Sequence, residues 1–230
     1  CNDVGVTGLA LLAFMRAGEG RVDGPFGDTF VRGLAWLLHE QDPETGRFDT
    51  RNWKGLYDQG IVTLLLSEIL ASYDSSLIRS AAQCAVNYLM RGRNPYGAWR
   101  YDVPPIGNND TSITSWVVCA LAAARRVGLT VDPDCFQGAK NWFNEVTDPG
   151  SGLCGYDHIG SMSARIAGRN EDYPAERGEA MTAAALYCRF VMGERPDTSE
   201  SMRKGAALLQ RNLPQWQPSQ RGNDMYYWYY

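Results

Sequence analysis

The residues that could do chemistry in this chain are acids placed at the starts of apolar stretches. Asp3, Asp58, Asp110, Glu176 or Glu179, and Asp224 each precede a run of small, hydroxyl-bearing or aromatic residues. Two carboxylates facing each other across a cleft can serve as general acid and base in glycoside hydrolysis, with aromatic rings as stacking surfaces. Asp58, Asp110 and Glu179 are therefore candidate catalytic groups, with Glu176 and Asp224 as further rim acids, and Tyr57, Trp116, Tyr226 and Trp228 are candidate ligand-binding surfaces, with Trp53, Trp99 and Tyr101 as further rings. Each acid alone also reads as a helix cap that accepts from free backbone N–H groups and balances the helix dipole.

Other chemistries find little support. Only His39 and His158 are present, and Asp132-Pro133-Asp134-Cys135 opens an amphipathic segment, so no metal site and no cofactor are expected. None of the six cysteines forms a CxxC pair. Cys84, Cys119 and Cys188 fall in apolar helical patterns and read as reduced core residues, whereas Cys135 and Cys154 lie in or near loops, where a disulfide between them is an open alternative. A net charge of −4, from 22 basic and 26 acidic residues without long like-charge runs, gives no footprint for nucleic acid or an anionic membrane surface. The longest apolar runs, Ile61 to Leu66 and Trp116 to Ala124, are shorter than the roughly 18 residues that a membrane-spanning helix requires.

The elements that must position these acids are helices of two alternating kinds. Asp3 to Ala17, Tyr57 to Ser72, Asp110 to Val127 and Glu176 to Met192 are small or apolar nearly all round. Thr29 to Glu40, Ser75 to Met90, Pro133 to Val146 and Thr198 to Leu213 are amphipathic. Asn223 to Tyr230 reads as the start of a fifth buried helix, and five consecutive aromatics from Tyr226 exceed what one buried helix face can cover. Some of those rings should line a cavity or meet another segment of the parent chain. Alternation of buried and half-wet helices predicts an all-α fold, an α/α toroid of inner and outer helices in four to five hairpin repeats, with the ring stopping partway through the fifth. The inner helices would then all start at one rim, which is where the acids converge. We expect a single domain over residues 1–230, cut from a longer protein since it begins at Cys1. Gly160 to Glu179, rich in Ser, Arg and charge, departs from the repeat and reads as a loop over the mouth or a solvated insertion.

A second repeated feature follows the outer helices. Arg32-Gly33-Leu34-Ala35-Trp36-Leu37-Leu38-His39-Glu40-Gln41 runs through Asp42-Pro43-Glu44-Thr45 into Gly46-Arg47-Phe48. Looser copies are Tyr88-Leu89 with Gly97 and Trp99, Trp142-Phe143 with Gly155 and Tyr156, and Lys204-Gly205 with Leu208-Leu209. The pattern resembles the QW repeat of the terpenoid cyclase and protein prenyltransferase superfamily, in particular squalene-hopene cyclase-like domains, and covers nearly the whole chain. The resemblance implies that Trp36, Gln41, Phe48 and Trp99 are structural and that the toroid interior is an apolar pocket for an isoprenoid-like molecule. It also implies a comparison with the family's Asp-x-Asp-Asp-Thr motif, whose middle Asp is the proton donor. Here that motif falls on Gly107-Asn108-Asn109-Asp110-Thr111, which keeps the last Asp and Thr but puts Asn109 in the donor's place. An amide cannot deliver that proton, so the expectation is a cavity for an apolar ligand with Asp110 as the remaining acid. An isoprenoid cyclase or transferase, a carbohydrate-active or other α/α-barrel hydrolase using the rim carboxylates, and a non-catalytic binding or scaffold module are the readings the sequence leaves open.

Overall fold

In the computed structural model the described residues are 3–48, 55–95, 97–101, 103–105, 107–161, 179–216 and 223–230. Among them every regular element is a helix: α1 Asp3–Arg16, α2 Gly27–His39, α3 Leu56–Ser72, α4 Ser76–Arg91, α5 Thr111–Arg126, α6 Pro133–Glu145, α7 Glu179–Val191, α8 Glu200–Arg211 and α9 Met225–Tyr229. The fold is all-α, and no helix among these residues is long and apolar enough to cross a membrane. The chain divides into two compact units. One comprises Cys1–Pro95, Trp99–Asn108 and Trp116–Cys135; the other comprises Tyr96–Ala98, Asn109–Ser115 and Phe136–Tyr230.

In the first unit the alternation read from the sequence appears as burial. From Leu56 to Leu70, α3 exposes almost nothing, while α2 buries only Gly27, Phe30 and Leu37. Hydroxyls inside α3 are satisfied along its own ladder: Thr63 Oγ1 donates to the Gln59 carbonyl (2.7 Å) and Ser67 Oγ to that of Thr63 (2.8 Å). The small residues of α1 allow close approach. A Cβ on Gly5 would lie 2.2 Å from Asp58 Oδ1, and one on Gly8 2.8 Å from Ile61 Cγ2. Ser75 caps α4 by accepting from the Ile78 N–H (3.4 Å).

The second unit repeats the contrast. Along α7, Glu179 to Ala185 are buried, together with Cys188 and Arg189, while on α8 only Met202 and Gly205 are. Arg189 is neutralised inside the unit, with Nη1 on both Glu194 oxygens (3.2 and 3.1 Å) and Nη2 on Asn144 Oδ1 (2.8 Å).

Each unit also contains the same turn. Residues 41–48 follow α2, and residues 147–154 follow α6. In the first, the Asp42 N–H donates to the Arg47 carbonyl and that of Gly46 to Asp42 (2.9 and 2.8 Å); in the second, Asp148 donates to Leu153 and Gly152 to Asp148 at the same distances. The aspartate side chain organises both turns. Asp42 Oδ1 accepts from the Thr45 N–H and hydroxyl (2.7 and 2.9 Å), and Asp148 Oδ1 from those of Ser151 (2.6 and 2.7 Å). Gly46 and Gly152 take φ of 76° and 79°, the left-handed region that other residues enter at a cost. Each is also pressed on the next amphipathic helix: a Cβ on Gly46 would lie 2.3 Å from the Cys84 oxygen of α4, and one on Gly152 2.5 Å from the Gly205 nitrogen of α8.

Both turns are anchored by the fourth residue of a buried helix. On α3, Gln59 Oε1 accepts from the Phe48 N–H (2.8 Å) while its Nε2 donates to the Gly46 carbonyl (2.9 Å). On α7, Thr182 Oγ1 accepts from the Cys154 N–H (3.0 Å). Gln41 adds a tie by donating to the Gly46 and Ala81 carbonyls (3.2 and 2.9 Å). Phe48 and Trp99 are fully buried, and the Trp99 indole donates to the Leu89 carbonyl (2.8 Å). These residues hold backbone to backbone, which is structural work.

Candidate functional site

The second unit gathers the polar starts of three helices. At the first, Asp110 is 0 % exposed. Its Oδ1 accepts from the Ile113 N–H (2.8 Å), an N-cap on α5, and its Oδ2 accepts from the Tyr156 hydroxyl (3.0 Å). Thr111 ties the same helix start to the segment that carries Tyr156: its N–H donates to the Tyr156 carbonyl (2.8 Å) and its hydroxyl to that of Gly155 (2.7 Å). Both oxygens of Asp110 are thus engaged in ordering a helix start.

Asn109, immediately before Asp110, is also engaged structurally. Its Oδ1 accepts from the Ala98 N–H (3.2 Å), and its amide packs so tightly on Gly97 that a Cβ there would lie 2.5 Å from Nδ2.

At the second start, Glu179 opens α7 and is 5 % exposed. The adjoining Ala180 and Met181 pack with Tyr156 into an apolar cluster, against which Tyr226 and Tyr227 lie. At the third start, Asp224 Oδ1 caps α9 by accepting from the N–H groups of Tyr226 and Tyr227 (3.1 and 3.2 Å). The Tyr226 hydroxyl meets Ser112 Oγ at 2.9 Å, joining the second residue of α9 to the second residue of α5. Burial pushes the Tyr226 phenol well above its ordinary range, and the Asp110 charge adds to this, while hydrogen bonding to Ser112 and Tyr230 opposes it. It remains a neutral donor and acceptor. Tyr227 is shifted up as well, first by burial and then by the charges of Glu179 and Asp224. Its hydroxyl donates to the Asn212 carbonyl (2.7 Å).

The expectation of a fifth buried helix is corrected here, since no residue of α9 is fully buried. Trp228 and Tyr229 are each 47 % exposed, whereas Tyr226, Tyr227 and Tyr230 are half-buried. The Tyr230 ring contacts those of Tyr187, Tyr226 and Tyr229 at centroid distances of 6.1, 5.3 and 4.9 Å. A five-residue helix presents too little of any one face to sink five rings.

The remaining candidates belong to the first unit. Asp58 is 4 % exposed and lies over Gly5 of α1. Tyr57 is half-buried with its ring 6.2 Å from that of Tyr101. Trp116 is 6 % exposed, and its backbone and Cβ approach the Gly60 position of α3. Glu176 and Trp53, and most of the Gly160 to Glu179 segment, fall outside the described residues.

Cys84, Cys119, Cys135, Cys154 and Cys188 are free thiols, which corrects the alternative of a Cys135–Cys154 disulfide. Burial raises the thiols of both Cys135 and Cys154 to about 11, so neither is a ready nucleophile. Cys84 is half-buried, less enclosed than its apolar surroundings in the sequence suggested. His158 is exposed and pairs with Asp157 (2.8 Å), and Asp132 Oδ1 accepts from the Asp134 N–H (2.9 Å) in a local turn. Among the described residues no three His, Cys, Asp or Glu side chains gather as a metal site.

Sequence reasoning did not single out Gln59, Tyr156 or Thr182 as anchors. A signal for the turns they hold was present in the shared Asp-Pro-x-(Thr or Ser)-Gly of residues 42–46 and 148–152. No protein-family model, no curated protein and no solved structure matches the chain.

Proposed function

We propose that the chain is an α/α-toroid repeat domain of the terpenoid cyclase and protein prenyltransferase type that accommodates an apolar, isoprenoid-like molecule and binds it without protonating it. Support for the repeat type comes from the alternation of buried and half-wet helices and from the recurrence of one aspartate–glycine turn in each unit. Aromatic side chains left partly open on α7 and α9, among them Tyr187, Trp228 and Tyr229, favour an apolar ligand.

The observation that carries the binding-only reading is the Asp110 carboxylate. An acid that protonates an alkene must present its proton to an apolar cavity, whereas one oxygen of Asp110 accepts from the Ile113 N–H and the other from the Tyr156 hydroxyl, so both are already engaged within the fold. Incubation with squalene and with geranylgeranyl diphosphate, followed by extraction and product analysis, tests this. Lipid retained by the protein and recovered unchanged is the expected result. A cyclised or transferred product whose formation is abolished by Asp110→Asn overturns the binding-only reading, and failure to retain either lipid overturns the ligand class.

A further inference from the structure

The two aspartate–glycine turns rest on α4 and α8 in the same register. A Cβ on Gly46 would lie 2.6 Å from the Cys84 carbonyl carbon, and one on Gly152 2.8 Å from that of Lys204. Cys84 and Lys204 are therefore counterparts. So are the residues one and two helical turns further along the same face: Asn87, Tyr88 and Arg91 on α4, and Ala207, Leu208 and Arg211 on α8. The two arginines have different surroundings. Arg91 donates to the Thr45 carbonyl of its turn, and its guanidinium lies 5.6 Å over the Tyr88 ring. Leu208 gives Arg211 no such ring, and Arg211 makes no hydrogen bond or ion pair with the described residues.

Where Arg91 closes on its turn, the second unit has a cavity of about 290 Å³ instead. It lies between Gly150 and Ser151 of the turn and the face of α8 from Lys204 to Arg211, with Asn212 at its end. Ligand pockets run from roughly 300 to 1,000 Å³, so this one suits a short molecule. Ala207 and Leu208 supply an apolar wall. The Arg211 guanidinium supplies a planar fork, which a carboxylate matches with two parallel hydrogen bonds.

The other cation of the cavity is already compensated. Lys204 Nζ donates to the Pro149 carbonyl (2.6 Å) and pairs with Glu200 (2.8 Å). Asp148 is held below its ordinary range first by the bonds from Ser151 and then, more weakly, by the Lys204 charge. One unpaired guanidinium beside two carboxylates attracts a single negative charge and disfavours a second.

We propose that this cavity binds a short aliphatic monocarboxylate, with the carboxylate on Arg211 and the chain against Ala207 and Leu208. The site goes beyond the apolar-ligand reading above and shares no residue with the aromatic groups cited for it, so the two stand or fall separately.

The probes are 4-methylpentanoate, 4-methylpentan-1-ol and inorganic phosphate, each titrated into the full chain at neutral pH and low ionic strength. Binding is followed by the NMR shifts of the Gly150, Ser151 and Asn212 amides. The carboxylate is expected to shift them saturably, and the alcohol and phosphate to bind at least about tenfold more weakly. Arg211→Gln is expected to weaken carboxylate binding by about tenfold or more, and Arg211→Lys, which keeps the charge and loses the fork, by about threefold or more. A carboxylate that moves none of the three amides overturns the site, as does undiminished binding by Arg211→Gln. Phosphate or alcohol binding as tight as that of the carboxylate overturns the ligand class, and full affinity in Arg211→Lys overturns the paired geometry. Thermal midpoints separate this role from a structural one. Arg91→Gln loses a bond to its turn and should melt earlier, whereas Arg211→Gln should melt with wild type; equal losses would make Arg211 a turn residue like Arg91 and overturn the assignment.

Discussion

The turns at residues 41–48 and 147–154 have one backbone and two fillings. Their main-chain bonds, the aspartate that gathers them and the left-handed glycine agree closely. What each turn delivers into its unit differs: a fully buried phenyl ring at Phe48, and a buried thiol at Cys154. The anchors differ too. Gln59 both accepts from the turn and donates to it, and Thr182 accepts from the Cys154 N–H. The backbone device therefore does not depend on what fills the space beneath it. Asp, Gly and the neighbouring helix define the turn, and the last residue is free to match the local volume.

Volume deletion should separate the two turns most. Phe48→Ala is expected to destabilise by about 3–5 kcal/mol, as large aromatic-to-alanine changes in cores do, while Cys154→Ala removes about one methylene's worth of burial, about 1 kcal/mol. Urea midpoints of the two variants check this, and equal losses would break the comparison. Glycine replacement should erase the difference instead. Gly46→Ala and Gly152→Ala both meet backbone atoms at 2.3 and 2.5 Å and both demand positive φ, so each should cost more than about 2 kcal/mol by overpacking and strain. A variant that is tolerated at either position would show that the helix behind it can retreat.

The anchors come next. Gln59→Leu and Thr182→Val each leave a buried N–H, of Phe48 and of Cys154, without its acceptor, and each should cost about 1–3 kcal/mol. A double-mutant cycle with Gly46→Ala tests whether Gln59 acts through the turn, since a coupling near zero would place its effect elsewhere.

The smallest effect is acid sensitivity. Asp42 is held below its ordinary 3.8 first by the Thr45 N–H, and Asp148 first by the Ser151 hydroxyl. A carboxylate whose folded value is depressed contributes stability above the unfolded value, and that contribution is lost as pH falls through the folded one. Both turns should therefore weaken only below about pH 4. Asp42→Asn and Asp148→Asn should each flatten the acid limb of the stability profile, and a variant whose limb is as steep as that of wild type would exclude its turn as a source.

Much of this was legible in the chain. The helical segments expected from periodicity match α1 to α8 within about three residues at each end, because apolar spacing and capping residues are local signals. Asp110 acts as the cap its position suggested. α9 was legible as a helix start but not in its burial, since a string of aromatics states a demand for cover without saying what supplies it.

The candidate site was less legible, and Asp110 shows why. Its place before an apolar run made it a cap, and the motif made it a surviving acid. The choice between them rests on Tyr156, 46 positions away. The same holds for Ser112 and Tyr226, separated by 114 positions, and for Gln59 beneath a turn 13 positions before it.

By itself the sequence determined the helices, their two alternating kinds and the glycine turns, because each depends on neighbours along the chain. Only the tertiary structure decided which acceptor meets which donor. A buried carboxylate, phenol or amide takes its protonation and its task from groups brought to it by packing, and a one-dimensional pattern does not specify those groups.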